Sequence, residues 1–165
     1  MRSNYWNREK HLPNLLYIRH SKKLTAIIIN RLITTENILI SQVENDTIFD
    51  LKLIKRIQYM IYSLIYEYAG NYRANYANNN ILLHPTAYLI NDYMASFQRR
   101  ILKLYTKHHN SIQYLALIYG ELLYIYSFST GNVNIVIILI NLMLYKKEKR
   151  KIDFTLLNKI SHPNI

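Results

Sequence analysis

The chain has 165 residues, half of them hydrophobic, and a formal charge of +11 from 21 Lys and Arg against 10 Asp and Glu. That length supports a single hydrophobic core and the composition excludes disorder, while the lack of cysteine excludes a disulfide framework, a thiolate nucleophile and a cysteine-based zinc site. With 16 Tyr but only 3 Gly and 3 Pro, turn formers are too scarce for many short strands, and an all-α fold is predicted.

Residues 1–20 mix polar, basic and aromatic side chains around Pro13 and read as an extended lead-in that packs Trp6 or Leu15-Leu16 onto the body. Arg2, Arg8 and Glu9 have no apolar segment behind them, so no secretory signal is seen. Residues 24–40 place Leu24, Ile27, Ile28, Leu32, Ile38 and Leu39 at roughly helical spacing, and the polar Thr34-Thr35 break predicts two short helices. Residues 51–68 form the clearest amphipathic helix, with Leu53, Ile57, Met60, Ile61, Leu64, Ile65 and Tyr68 on one face and Gly70 as its C-terminal cap. An Asn-rich stretch then becomes apolar at Ile81, Leu82 and Leu83 before Pro85, which predicts a turn and a short extended piece.

Residues 87–105 predict another helix, with Leu89, Ile90, Tyr93, Met94, Phe97, Ile101 and Leu104 in its core stripe. Lys107-His108-His109-Asn110 ends it; the adjacent histidines lack carboxylates at metal-ligand spacing and read as a solvated turn. Residues 112–126 predict a nearly all-apolar helix at the centre of a bundle. Residues 133–145 are rich in β-branched side chains, and propensity alone favours a strand. Their length decides for a helix. The run is shorter than a bilayer requires and contains Asn134 and Asn141, so no transmembrane segment is predicted. Lys146, Lys147, Lys149, Arg150 and Lys151 complement the end of that helix and read as solvated, and residues 152–160 predict a closing helix.

The chain is organised around Ile125-Tyr126-Ser127-Phe128-Ser129-Thr130-Gly131-Asn132-Val133-Asn134, a polar turn that opens the long apolar run. A turn directly before a helix leaves backbone N–H groups unpaired beside the positive end of the helix dipole, which makes a candidate anion site. A plain loop with a helix cap fits the same spacing. The stretch resembles the motif of the Fic family, His-x-Phe-x-(Asp/Glu)-Gly-Asn-Gly-Arg-x-x-Arg, whose members transfer AMP from ATP to protein hydroxyl groups. Phe128, Gly131 and Asn132 stand at the family's Phe, Gly and Asn, and Ile125 where the family commonly has Ile. The chemical residues differ: Tyr126 stands for the histidine, Thr130 for the acidic metal ligand, Val133 for the second glycine, and Asn134 and Ile137 for the two arginines.

A second match is closer. Ile65-Tyr66-Glu67-Tyr68-Ala69-Gly70-Asn71-Tyr72-Arg73 resembles the family's Ile-Tyr-x-Trp-Ala-Gly-x-Tyr-Arg, and Gln58 and Tyr62 stand where relatives often carry His and Phe. Ser41-Gln42-Val43-Glu44-Asn45 resembles the family's self-inhibitory helix at Glu44-Asn45, although Ile40 departs from its pattern and Asn134 removes the arginine such a glutamate would pair with. Ile81, Leu82 and Leu83 fall where the family has a β-hairpin flap that aligns the target segment as an added strand. His84-Pro85 repeats the family's His-Pro pair, but no Gly-Asn turn follows and it is set aside as a catalyst.

The resemblance implies a Fic-like helical bundle with a short β-hairpin flap. Its layout would be residues 1–46 as lead-in and helices with a remnant inhibitory segment, 47–147 as core, and 148–165 as a basic extension, all in one compact domain. It also implies ATP and Mg²⁺ as cofactors, a protein target, Gly131, Asn132 and Asn134 as nucleotide or phosphate contacts, Thr130 at the metal position and Tyr126 at the base. AMP transfer needs a base, a carboxylate for Mg²⁺ and positive or N–H groups on the phosphates. A phenol, with an ordinary pKa of about 10, is a poor base at neutral pH, and a neutral hydroxyl is a poor ligand for a hard cation. The sequence therefore reads as a Fic-fold protein with an eroded motif, a pseudoenzyme or a nucleotide- or protein-binding module, in the cytoplasm or delivered to another cell by a non-classical route. Two alternatives stay open. One is a surviving nucleotide- or phosphate-group transferase with a non-standard motif; the other is a basic non-catalytic helical protein that binds nucleic acid or a partner protein, nucleic acid being disfavoured because no module that binds it is recognisable.

Overall fold

The computed structural model describes residues 13–75, 84–104 and 112–152. Within them the chain forms α1 (Ser21–Ser41), α2 (Leu51–Tyr62), α3 (Ile90–Arg100), α4 (Ile112–Ile125) and α5 (Asn132–Glu148), with no strand among the described residues. The all-α expectation therefore stands for them. The predicted flap residues Ile81, Leu82 and Leu83 lie outside the described residues, as do Trp6, the 107–110 turn and the predicted closing helix.

The centre of the molecule is α5, against which α1, α2 and α4 all pack, while α3 bridges α2 and α4. Ile135, Val136, Ile138, Leu139, Ile140, Leu142 and Met143 are all buried, so the helix is apolar on every side rather than striped. That explains its β-branched composition: when a helix is enclosed all round, tertiary burial outweighs the small cost of β-branched side chains in a helix. The predicted central role of the 112–126 helix is corrected, because α4 buries Leu115, Ile118, Leu122 and Ile125 but exposes Leu117 and Tyr124.

Where two short helices were expected over 24–40, one continuous helix forms. Thr35 is buried within it and Thr34 is exposed, so the polar pair marks the boundary between two faces rather than a break. By length and composition α1 is long and apolar enough to cross a membrane, which uninterrupted apolar runs did not reveal. In this fold Leu24, Ile28 and Leu39 face the core. Arg31 fixes its position: the guanidinium donates to the Met60 and Ile61 carbonyls, two of the acceptors left open at the end of α2.

Asp50 caps α2 by accepting from the Leu53 N–H at 2.8 Å. The helix ends at Tyr62, short of the predicted Tyr68, and the buried set is Ile54, Ile57, Gln58, Ile61 and Tyr62. Leu53 is partly buried against the core beside the buried Ile54, and Leu64 is 61% exposed because it falls in the turn beyond the helix. Gly70, with φ +82°, closes that turn rather than α2 itself. In the lead-in, Leu15 and Leu16 are exposed; they form a turn that the Leu15 N–H anchors to the Ile65 carbonyl at 2.8 Å, and Ile18 packs inward. At the far end Lys146 is not merely solvated, because its ammonium donates to the Thr47 carbonyl at 2.8 Å.

Candidate functional site

The polar turn at 126–131 lies between α4 and α5, and its shape follows from three local features. Tyr126 ends α4 in the left-handed region at φ 48°, a common way to stop a helix but one that costs a non-glycine residue about 1–2 kcal/mol. Gly131 takes φ +76° as the N-cap of α5, with no side chain to bond the open N–H groups of the first turn. Asn132 closes the loop: its Oδ1 accepts the Phe128 N–H at 2.9 Å and its Nδ2 donates to the Phe128 carbonyl at 2.7 Å. The Phe128 side chain is buried beneath and meets Tyr72 at a ring separation of 5.4 Å.

Arg73 is the external strut of this loop. Its backbone N–H donates to the Ser127 carbonyl at 2.9 Å, its Nε to the Tyr126 carbonyl at 2.7 Å, its Nη1 to the Asn75 carbonyl at 2.7 Å and its Nη2 to the Pro85 carbonyl at 2.5 Å. Burial lowers its pKa from the usual guanidinium value, and the neighbouring Tyr126 acts in the opposite direction. The corner is held in turn by Gln58, which accepts the Gly70 N–H and has no partner for its Nε2. Tyr72, between Phe128 and Lys55, is pushed up to about 12 by burial.

The predicted site residues are distributed unequally. Tyr126, Thr130, Gly131, Asn132 and Asn134 share one loop and first helical turn, with Thr130 and Asn132 buried. Asn134 points its amide at the Tyr62 hydroxyl, 3.1 Å away, rather than into an open phosphate position. Glu44 lies apart, in an exposed turn after the end of α1, where its N–H donates to Thr47 Oγ1; its carboxylate forms no ion pair among the described residues. The stretch that resembles an inhibitory helix is not helical beyond Ser41.

Two residues near the loop were named from sequence but not placed in the site. His84, set aside there, stacks on Tyr126 with ring centroids 4.6 Å apart, and its Nδ1 is 2.8 Å from the Tyr124 carbonyl. Its link to position 126 is long-range and left no local pattern to find. Tyr62, noted in the sequence where relatives often carry Phe, is fully buried against Gly131, a long-range contact that no local pattern marks.

The donor set does not fit the Mg²⁺ that the motif resemblance implies. No cluster of three or more His, Asp or Glu side chains exists among the described residues, and the metal position holds the buried hydroxyl of Thr130. Nor do the side chains fit the triphosphate: Asn134 and Ile137 bring no charge, and the Arg73 guanidinium is spent on backbone carbonyls. What remains for an anion is backbone at the start of α5.

A helical bundle with a buried central helix, entered through a glycine-capped polar loop, defines the class of fold. No protein-family model matches the sequence, and no curated protein matches it. Solved structures do. The N-terminal Fic domain of Bep8, a VirB-translocated effector from Bartonella sp. 1-1C, superposes with a TM-score of 0.70 at 16% identity, over 88% of this chain and 75% of that one. BepC from Bartonella tribocorum, solved with bound AMPPNP, gives 0.71 at 12% identity over 91% and 80%. A Fic-domain signalling protein from Bacteroides thetaiotaomicron gives 0.61 at 16% identity over 72% and 48%. The chain has the Fic-domain fold.

Proposed function

We propose that this chain is a Fic-fold protein in which AMP transfer has been lost and which acts by binding a protein partner. The observation that supports this most is the state of the motif loop, where the positions of base, metal ligand and first arginine are Tyr126, Thr130 and Asn134, and Asn134 is engaged with Tyr62. If base and metal were each worth about 10² to 10⁴ in rate, losing both leaves little above background. Several structural neighbours are translocated effectors, and delivery to another cell by a non-classical route is the localisation this reading carries.

The test is transfer of labelled AMP from ATP with Mg²⁺ to proteins of a cell lysate. The native chain is expected to label nothing, and labelling by it would overturn the reading. One observation favours a second reading, a surviving transferase. Histidine is the side chain most often used as a general base, and His84 stacks on Tyr126. On that reading the native chain labels a protein and His84→Ala abolishes the label.

A further inference from the structure

The nucleotide that the resemblance implies is excluded by something more specific than missing charge. Tyr62 and Asn134 both depart from the motif resemblance, at positions where relatives often have Phe and Arg, and in the fold they meet: the Asn134 amide donates to the Tyr62 hydroxyl at 3.1 Å. We infer that this pair closes the phosphate seat at the start of α5 with the chain's own phenol, so that the protein rejects nucleotides even where its backbone would accept an anion.

Gly131 is the N-cap of α5 and Asn134 its third residue, the two positions that a capping side chain normally spans to reach the open N–H groups. Gly131 has no side chain to do so. The Tyr62 ring stands in that space instead: a methyl group added at Gly131 would overlap both its ring carbons and its hydroxyl. Tyr62 has no exposed surface and its ring lies 6.0 Å from that of Tyr66. It is held from behind by the core and in front by Asn134. For a phosphate the hydroxyl is the obstacle: its oxygen takes up the space beside Gly131 and holds the Asn134 amide turned toward itself.

This inference rests on the reading of the loop as a former nucleotide seat, and four proteins separate the two claims. Magnesium-free ATP is titrated calorimetrically into the native chain, Tyr62→Phe, Asn134→Arg and the double variant, with thermal melting to establish that each is folded. Closure by Tyr62 predicts no measurable binding to the native chain. It also predicts binding at least ten-fold tighter to the double variant than to Asn134→Arg alone. Equal affinity of those two overturns the closure and keeps the seat. No binding by any of the four overturns the seat and the closure together, and binding by the native chain that Tyr62→Phe leaves unchanged overturns the closure. Should Asn134→Arg not fold, inorganic pyrophosphate titrated into Tyr62→Phe and the native chain decides it: tighter binding to Tyr62→Phe is expected, and equal binding contradicts the inference.

Discussion

At Gly131 the backbone and the packing make the same demand. Its φ of +76° lies where a Cβ is disfavoured, and the added methyl would strike the rigid, buried ring of Tyr62 rather than a flexible chain end. Gly131→Ala should therefore destabilise by about 2–4 kcal/mol, overpacking and left-handed strain together, as read from chemical denaturation. Arg73→Met should cost about 3 kcal/mol or more, because it strips charged donors from the Tyr126, Asn75 and Pro85 carbonyls at once. Tyr72 makes a pH prediction. Its folded-state pKa is raised from 10.0 to about 12, so it contributes stability that is present below the unfolded value and lost as pH rises through the folded one. Denaturation midpoints should fall between about pH 10 and 12, and Tyr72→Phe should flatten the part of that fall which belongs to this residue.

The helices show how much was written in the sequence. The 3.6-residue spacing of Ile90, Met94, Phe97 and Ile101 located α3 and its buried face directly. For α5 propensity and length disagreed, and length gave the right answer because burial on all sides removes the periodic stripe that would have settled the matter. The single helix α1 was divided in two because Thr35 is polar, though buried, and burial of a threonine is not legible without its neighbours. The loop residues were legible as a contiguous string; their tethers to Arg73, Tyr62 and His84 were not, since each spans dozens of residues. One of these long-range ties is testable at the level of the element. Asn141 in α5 exchanges two bonds with the Ile152 backbone and donates to Glu36 of α1 at 2.6 Å. Asn141→Leu should leave the helices folded while speeding amide hydrogen exchange at Ile152, where the N–H has lost its acceptor.

Across the whole molecule, a Fic-domain fold is combined with polar side chains in and around its loop that are bonded within the protein. Asn132 serves the loop backbone, Arg73 the carbonyls around it, and Asn134 the Tyr62 hydroxyl. Each contact stabilises the fold and removes a group from the surface that a ligand would meet. On the reading proposed above, the fold and the absence of AMP transfer are two results of one set of interactions. Calorimetric titration of ATP, with and without Mg²⁺, into the native chain tests this most directly. The account predicts no binding heat at millimolar nucleotide in either condition, and saturable binding of ATP, with or without Mg²⁺, would contradict it.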